Sequence, residues 1–168
     1  MSDKTVLIVI GSESDLAAMK PATEALDELG VRWELSVASA HRTPERAAGL
    51  AETARSRDVG VIIAGAGLAH HLAGTLAART TLPVIAVPLA AGALQGFDSL
   101  LSAVQMPSGV PVAVVGISAS RNAGLLAGQI IAVSDRAVAV RLDAYRKALA
   151  AGVNDANERV QKALAKDP

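Results

Sequence analysis

A histidine and an arginine stand side by side where an apolar run ends, in the segment SVASAHRTPERA (36–47). His41 can give or take a proton near neutral pH, and Arg42 offers an anion a permanently charged, forked set of donors. Ser39 adds a hydroxyl at the end of the same run. The pattern predicts an anion-binding site with an acid–base group; the alternative is a pair of solvated loop residues.

The loop GSESD (11–15) combines a glycine, two hydroxyls and a carboxylate at the start of a predicted helix. Free backbone N–H groups and the helix dipole favour an anion there, so Ser12, Ser14 and Asp15 could hold a phosphate. Ser12 and Asp15 also have the spacing of a capping box, and the alternative is that they only cap the helix. No segment matches a Walker A loop or GxGxxG, which argues against mononucleotide hydrolysis and dinucleotide binding.

Two of the three histidines fall in GAGLAHHLAG (65–74). The small residues Gly65, Ala66 and Gly67 would let a flat ligand approach the backbone closely. Neighbours on a helix differ by about 100°, so His70 and His71 are not expected to point into one site. At most one is expected to be catalytic, and a structural role is the alternative for each. Without HxH or HxxxH spacing, a metal site is not predicted.

Five apolar, β-branched runs alternate with helical patterns along the chain. Continuous hydrophobicity is typical of strands that helices cover on both faces, and hence of a parallel sheet. The predicted strands are 6–10, 33–39, 59–65, 84–88 and 110–116. The predicted helices are 15–29, 44–57, 70–79, 97–105 and 122–133. We expect a doubly wound α/β domain with a five-stranded parallel sheet, whose ligands bind beyond the carboxyl ends of the strands.

Single residues indicate where some of the helices begin or break. Thr43 is predicted to be an N-cap, with Pro44 at the first helical position. Pro21 predicts a kink or a late start in the first helix. The polar stretch 134–168 predicts a C-terminal arm of one or two helices, with a break at Gly152. The chain 1–168 is expected to form a single domain.

Composition argues against several function classes. With 16 basic and 16 acidic residues and 2% aromatic residues, the chain offers neither a charged footprint nor a stacking platform for nucleic acid. The lack of cysteine excludes thiol chemistry and is consistent with a reducing cytoplasm. The first apolar run is too short for a signal peptide, so the mature chain is expected to begin here.

Two stretches, 59–78 and 99–120, carry no Asp, Glu, Lys or Arg and are long enough to span a bilayer. Glycines interrupt both, with histidines in the first and prolines in the second, so we expect buried strands and loops and no membrane partner. The apolar content of 51% is high for a small soluble monomer. Part of that surface is therefore expected to form subunit contacts.

The motifs GSESD, SAHRTP, GAGLAHHLAG, ALQGFDSLLSAVQMP and NAGLLAGQI, in this order, resemble the class I N5-carboxyaminoimidazole ribonucleotide mutase family of purine (IMP) biosynthesis. The resemblance covers about residues 5–145. It implies a flavodoxin-like three-layer αβα sandwich, a homo-octamer knitted by C-terminal segments and a cytoplasmic enzyme. It also implies a reaction without cofactor or metal, in which a carboxylate moves from the exocyclic nitrogen of the imidazole ribonucleotide to C4, with CO2 as a trapped intermediate.

The resemblance also implies roles for residues. Ser12, Asp15 and Arg42 would hold the ribose 5′-phosphate, with Asp15 on the sugar side. His71 would be the general acid–base, and His41 would line the site as the second catalytic histidine. The remaining positions implied to bind substrate are Ser14, Ser39, Gly65, Ala66 and Gly67.

The chain departs from the family pattern at His70, an extra histidine, at Ala73, where proline is usual, and at Ile117 and Arg121 in the loop before NAG. The family usually has a lysine where this chain has Ile117, and Arg121 could supply the positive charge of that lysine. Three other functions remain alternatives: a class II aminoimidazole ribonucleotide carboxylase that uses CO2, a non-catalytic nucleotide-binding module, and a structural protein whose apolar surface serves assembly.

Overall fold

A five-stranded sheet forms the centre of the computed structural model, which describes residues 4–164. Its strands are β1 Thr5–Ile10, β2 Arg32–Val37, β3 Val59–Ala66, β4 Val84–Pro88 and β5 Ala113–Val114. They lie in the order β2-β1-β3-β4-β5, and each neighbouring pair is parallel. This is the strand order of flavodoxin-like, doubly wound domains, and it confirms the predicted fold class.

Helices cover both faces of the sheet within residues 4–164. They are α1 Leu16–Glu28, α2 Pro44–Glu52, α3 His71–Ala77, α4 Phe97–Val104, α5 Ser120–Ala132 and α6 Arg136–Leu164. One layer contains α1 and α5, with the start of α6 packed beside them; the other contains α2, α3 and α4. None of the described helices is long and apolar enough to cross a membrane.

Successive residues of β1 point into opposite layers. Val6 and Ile8 pack in the layer of α1 and α5, whereas Leu7 and Val9 pack in the layer of α2 and α3. Each such side chain contributes about 1.5–3 kcal/mol when it is fully buried. Burial on both faces fixes the strand register, and with it the positions of the loops that follow the strands.

The structure corrects several predicted boundaries. Helix α1 passes through Pro21 instead of starting late there. β5 is limited to Ala113–Val114, because Pro111 has no N–H to donate and Gly109 adopts a positive φ of 97°. The second helix ends at Glu52, and a short 3₁₀ turn, Arg55–Arg57, leads to Asp58 in the left-handed region.

The C-terminal arm is one continuous helix, α6, so the break predicted at Gly152 is wrong. A single glycine inside a helix costs only about 1 kcal/mol relative to alanine, and the Ala, Leu, Lys and Arg residues on both sides of it favour the helix. Val138 of α6 is fully buried and docks the beginning of the arm on the domain. The outer limits predicted for the domain, residues 1 and 168, lie outside the described residues.

Candidate active site

A cavity of about 610 Å³ opens at the carboxyl edge of the sheet, where the strand order reverses. Its walls come from the loops after β1, β2 and β3, with Ala91 from the loop after β4. The predicted site residues that line it are Ser12, Ser14, Asp15, Ser39, His41, Arg42, Ala66 and Gly67. Two predicted site residues, Gly65 and His71, are not part of the wall.

The loop after β1 both caps a helical turn and lines the cavity. The backbone N–H of Ser12 donates to Asp15 Oδ2 at 2.9 Å, and Ser12 Oγ accepts from the N–H of Ser14 at 3.4 Å. Ser14 Oγ donates to Ser12 Oγ at 3.0 Å. The predicted capping box is therefore confirmed, on the 3₁₀ turn Glu13–Asp15 that precedes α1. Capping leaves these side chains on the cavity wall, so the two interpretations are compatible.

Asp15 is the last residue of this loop and lines the cavity. Partial burial raises the pKa of its carboxyl, and the hydrogen bond from Ser12 and the charge of Arg42 offset only part of that rise. The ionised form of this carboxyl is therefore less stable than that of an exposed aspartate. A hydroxyl-bearing ligand that donated to it would replace the water it has lost.

The loop after β2 is held by its own threonine. Thr43 Oγ1 accepts from the N–H of Ser39 at 2.9 Å and lies 3.2 Å from the Ser39 carbonyl oxygen, to which it donates. Thr43 occupies the predicted N-cap position, but its side chain makes no capping bond to α2, which corrects that expectation. The Oγ of Ser39 accepts from the N–H of Arg42 at 3.2 Å. The Ser39–Thr43 loop thereby sets the direction of Arg42.

Arg42 reaches across the edge of the sheet. Its Nη2 donates to the carbonyl oxygen of Gly11 at 3.3 Å, which brings the guanidinium to the loop that carries Ser12 and Asp15. The side chain stays exposed, and the remaining guanidinium N–H groups are available to a ligand. Arg42, Ser12 and Ser14 together form the polar end of the cavity.

His41 and His71 form a hydrogen-bonded pair. His41 Nε2 lies 2.7 Å from His71 Nδ1, and the rings meet edge to face at an angle of 64°. One ring must donate and the other accept, so a proton gained by one imidazole can be passed to the other. His41 lines the cavity, whereas His71, the first residue of α3, is exposed and is not among the residues that line it.

His70 points away from this pair, as the spacing predicts. It is only 1% exposed, and its Nδ1 lies 3.4 Å from Ser99 Oγ of α4. Burial, reinforced by the nearby His71, lowers its pKa from 6.5 to about 4. His70 is therefore a neutral, buried residue at neutral pH.

The small residues of the loop after β3 serve two different purposes. A Cβ at Gly67 would come within 2.7 Å of the Cβ of Ala91, so this glycine permits close contact with the loop after β4. A Cβ at Gly65 would lie 2.5 Å from the sulfur of Met19, so Gly65 admits α1 against the sheet. The binding role expected of Gly65 stays a prediction.

Part of the wall is apolar and was not singled out from the sequence. Leu68 and Ala69 follow the glycines, and Leu72 enters from the first turn of α3. Their positions next to a strand end were the available signal, but apolar residues there are equally typical of the core. Among residues 4–164, no group of three His, Cys, Asp or Glu side chains could hold a metal ion.

Arg121 and Ile117 do not line the cavity. Arg121 Nη2 is 2.7 Å from a carboxylate oxygen of Glu28, and its guanidinium lies 5.6 Å from the ring centre of Tyr145. Arg121 Nε also donates to the hydroxyl of Tyr145 at 3.4 Å. The hydrogen bonds to Tyr145 and Glu28 raise the pKa of Arg121 and connect α1, α5 and α6. Ile117 packs against Gly96, 2.7 Å from where a Cβ would stand. Arg121 is therefore committed to helix packing and does not supply a charge to the cavity wall.

Comparison with known proteins identifies the family. The family model described as AIR carboxylase matches residues 5–151. The chain belongs to the AIR carboxylase family. Among its relatives, the N5-carboxyaminoimidazole ribonucleotide mutase of Bacillus subtilis is 56% identical over 142 residues, which cover 83% of this chain and 88% of that protein. The mutase of the same name from Pyrococcus horikoshii is 48% identical, over 92% of this chain and 88% of its own.

The fold also matches solved structures. The crystal structure of Treponema denticola PurE superposes with a TM-score of 0.85 at 25% identity, covering 93% of this chain and 98% of that one. The agreement extends over the sheet and both helical layers. The predicted resemblance to this family is confirmed.

Proposed function

We propose that this AIR carboxylase family member is an N5-carboxyaminoimidazole ribonucleotide mutase of purine (IMP) biosynthesis. It would move the carboxylate of its substrate from the exocyclic nitrogen to C4 of the imidazole. The observation that carries the proposal is the His41–His71 pair, set beside a cavity whose wall also carries Arg42 and hydroxyl groups. The mutase relatives, 45–56% identical to this chain, support the same activity.

The polar end of the cavity suits the ribose 5′-phosphate. Arg42 would pair with the phosphate, and Ser12 and Ser14 would donate hydroxyl hydrogen bonds to it. Asp15 would accept from a sugar hydroxyl, since its carboxyl is partly desolvated. The substrate would then extend from the loop after β1 towards the histidines, with Ser39, Ala66 and Gly67 beside it.

The chemistry requires one group that can give a proton and later take one. The histidine pair donates a proton to the carbamate nitrogen, the N–C bond breaks, and CO2 and aminoimidazole ribonucleotide result. C4 of the electron-rich ring attacks the CO2 carbon, and the pair removes the proton from C4. The protons balance, so the pair ends in its starting state without a cofactor. His71 keeps its expected role as acid–base, with His41 as the member that faces the ligand.

The apolar wall would hold the CO2 between the two steps. The side chains of Leu68, Ala69, Leu72 and Ala91 offer no hydrogen bond to water, and CO2 needs none. A dry wall would slow both escape of the gas and its hydration. The smallness of Ala69 and Ala91 leaves room for the migrating group near the ring.

Assembly into a homo-oligomer, with the octamer as the specific expectation, forms part of the proposal. Leu94, Phe97 and Leu101 form an exposed apolar surface at and before α4, with Phe97 64% exposed. Val133, between α5 and α6, is 90% exposed, and Val153 on α6 is also exposed. Such exposed apolar surface favours subunit contacts. We also propose that the enzyme is cytoplasmic.

A comparison of two substrate supplies tests the function. Purified protein receives either fresh N5-carboxyaminoimidazole ribonucleotide or aminoimidazole ribonucleotide with bicarbonate, and the C4-carboxylated product is followed by ultraviolet absorbance. Fast product from the first supply alone supports the mutase. Efficient product from the second would indicate the class II carboxylase, and binding without product from either would indicate a nucleotide-binding module.

A further inference from the structure

The extra histidine, His70, occupies a junction between α4 and the cavity wall. Its ring is buried against Ser99, which is itself fully buried. Ser99 Oγ donates to the carbonyl oxygen of Ala66 at 2.8 Å, and the N–H of Leu89 donates to the same oxygen at 2.9 Å. Ala66 lines the cavity. The His70 ring is therefore two hydrogen bonds away from the wall.

The bonding of Ser99 determines the tautomer of His70. A serine hydroxyl has one proton, and Ser99 gives it to Ala66, so Ser99 Oγ can only accept from His70. His70 must then carry its proton on Nδ1. Its Nε2 has no partner among the described residues, and a bare acceptor there is the better tolerated state, since a buried N–H would be left without an acceptor. The buried ring thus acts as a neutral donor.

The backbone of His70 determines where His71 stands. His70 has φ −73° and ψ 63°, and the N–H of His71 donates to the carbonyl oxygen of Ala69 at 2.7 Å. These values describe an inverse γ-turn, which reverses the chain within three residues. The N–H of His70 donates to Ser102 Oγ at 3.3 Å, so Ser102 of α4 provides a second hydrogen bond to the same turn.

We propose that His70 is a positioning residue, which uses its Nδ1–H bond to Ser99 to lock the turn that sets His71 beside His41. A turn held this way keeps the acid–base pair at its 2.7 Å separation during the reaction. The inference rests on the proposed mutase function. It also gives this chain's departure from the family pattern a role in the reaction.

Two substitutions separate the hydrogen bond from the volume of the ring. His70→Leu keeps an apolar side chain of similar bulk and removes the donor, whereas His70→Asn can place an amide N–H near the position of Nδ1. We expect His70→Leu to lower kcat about tenfold or more, because small misplacements of a catalytic group are costly, with KM within about twofold. His70→Asn is expected to keep kcat within about threefold of the parent. Any other pattern of kcat among the three proteins overturns the proposal.

Ser99→Ala provides a gentler second variant, since it removes one oxygen and leaves His70 in place. It is expected to lower kcat as His70→Leu does. Hydrogen exchange of the peptide spanning residues 66–72, followed by mass spectrometry, is expected to be about tenfold faster in Ser99→Ala than in the parent. Unchanged exchange would contradict the proposal that Ser99 anchors the turn. If the parent itself fails to turn over the substrate, the mutase function is lost, and the exchange comparison still decides whether the anchor exists.

Discussion

His41 Nε2 and His71 Nδ1 lie 2.7 Å apart, although the residues follow strands that are not neighbours in the sheet. His41 belongs to the loop after β2 and His71 to the helix after β3, with β1 between these strands. The bond therefore spans the point at which the strand order reverses. Two imidazoles in such contact can pass a proton between them, and this pair is the centre of the proposed mechanism.

Replacing either histidine by asparagine should abolish most turnover. We expect His41→Asn and His71→Asn each to lower kcat by about 10²–10⁴-fold, with substrate affinity largely kept, because general acid–base catalysis contributes that much. The double variant should be little worse than the more affected single variant, since the two rings work as a unit. Steady-state kinetics with direct binding measurements check both expectations. Unchanged turnover in His71→Asn would remove that residue from the mechanism.

Removing the charge of Arg42 should weaken binding more than chemistry. Arg42→Ala is expected to raise KM about tenfold or more, with a smaller change in kcat, because a charge-assisted bond to the phosphate is lost. Arg46→Ala is the matched control, since Arg46 is an exposed arginine of α2 that does not line the cavity. Equal KM values for the two variants, or equal affinity of the parent for phosphorylated and dephosphorylated substrate, would contradict the assignment.

Asp15 is expected to serve binding at some cost in stability. Its pKa is raised above 3.8, so its contribution to stability is complete below pH 3.8 and is lost as pH rises through the folded-state value. Asp15→Asn keeps an acceptor for the N–H of Ser12 and removes the partly buried charge. At pH 7 we expect Tm to rise by roughly 1–4 °C while affinity for the substrate falls.

Thermal scans of the parent and Asp15→Asn at pH 7 and at the lowest pH at which both stay folded provide the check. The gain of the variant should shrink as the pH falls towards 3.8. A variant that is less stable than the parent at pH 7 would mean that the carboxylate stabilises the loop.

His70 should make the stability of the parent sensitive to pH. Its pKa is lowered from 6.5 to about 4, so the stability it contributes is present above pH 6.5 and is lost as the pH falls towards 4. Over that window the parent should lose on the order of 3 kcal/mol relative to His70→Leu. Urea unfolding at several pH values measures the difference. Parallel curves for the two proteins would show that His70 titrates normally.

Two glycine-to-alanine changes should have opposite effects on stability. A Cβ at Gly124 of α5 would lie 2.6 Å from the carbonyl oxygen of Ala22 in α1, so Gly124→Ala should cost about 1–3 kcal/mol through helix displacement. Gly49 of α2 has no atom within 4 Å of the same position, and Gly49→Ala should stabilise by up to about 1 kcal/mol. Urea midpoints measure both. Equal effects would contradict the close packing of α1 on α5.

Much of the fold follows from the sequence because continuous apolar runs such as VLIVI must be covered on both faces. The strand ends then indicate which loops share an edge, and this is why the sequence predicts that Asp15, Arg42 and His41 lie close together. The limits of helices were less predictable. Thr43 has the side chain of an N-cap, yet its hydroxyl bonds to Ser39, and the sequence does not indicate which of these competing bonds wins.

The parts of the site that depend on tertiary contacts could not be predicted. Spacing alone indicates that His70 and His71 diverge, but not that His71 meets His41 or that His70 meets Ser99. Arg121 was a candidate for restoring charge at the site, and only the packing of α5 against α1 and α6 explains its pairing with Glu28. Which side chains form bonds between elements depends on the tertiary arrangement of those elements, and no local sequence pattern contains that information.

The most direct test of the proposed carboxylate transfer follows the carboxyl carbon itself. Substrate with a ¹³C-labelled carboxylate is turned over once in a buffer that contains unlabelled bicarbonate, and the product is analysed by mass spectrometry. A CO2 held in the cavity beside His41 predicts product that retains nearly all of the label. Product that carries the unlabelled carbon of the buffer would contradict the mutase, because the carboxylate would then have left the site before C4 was attacked.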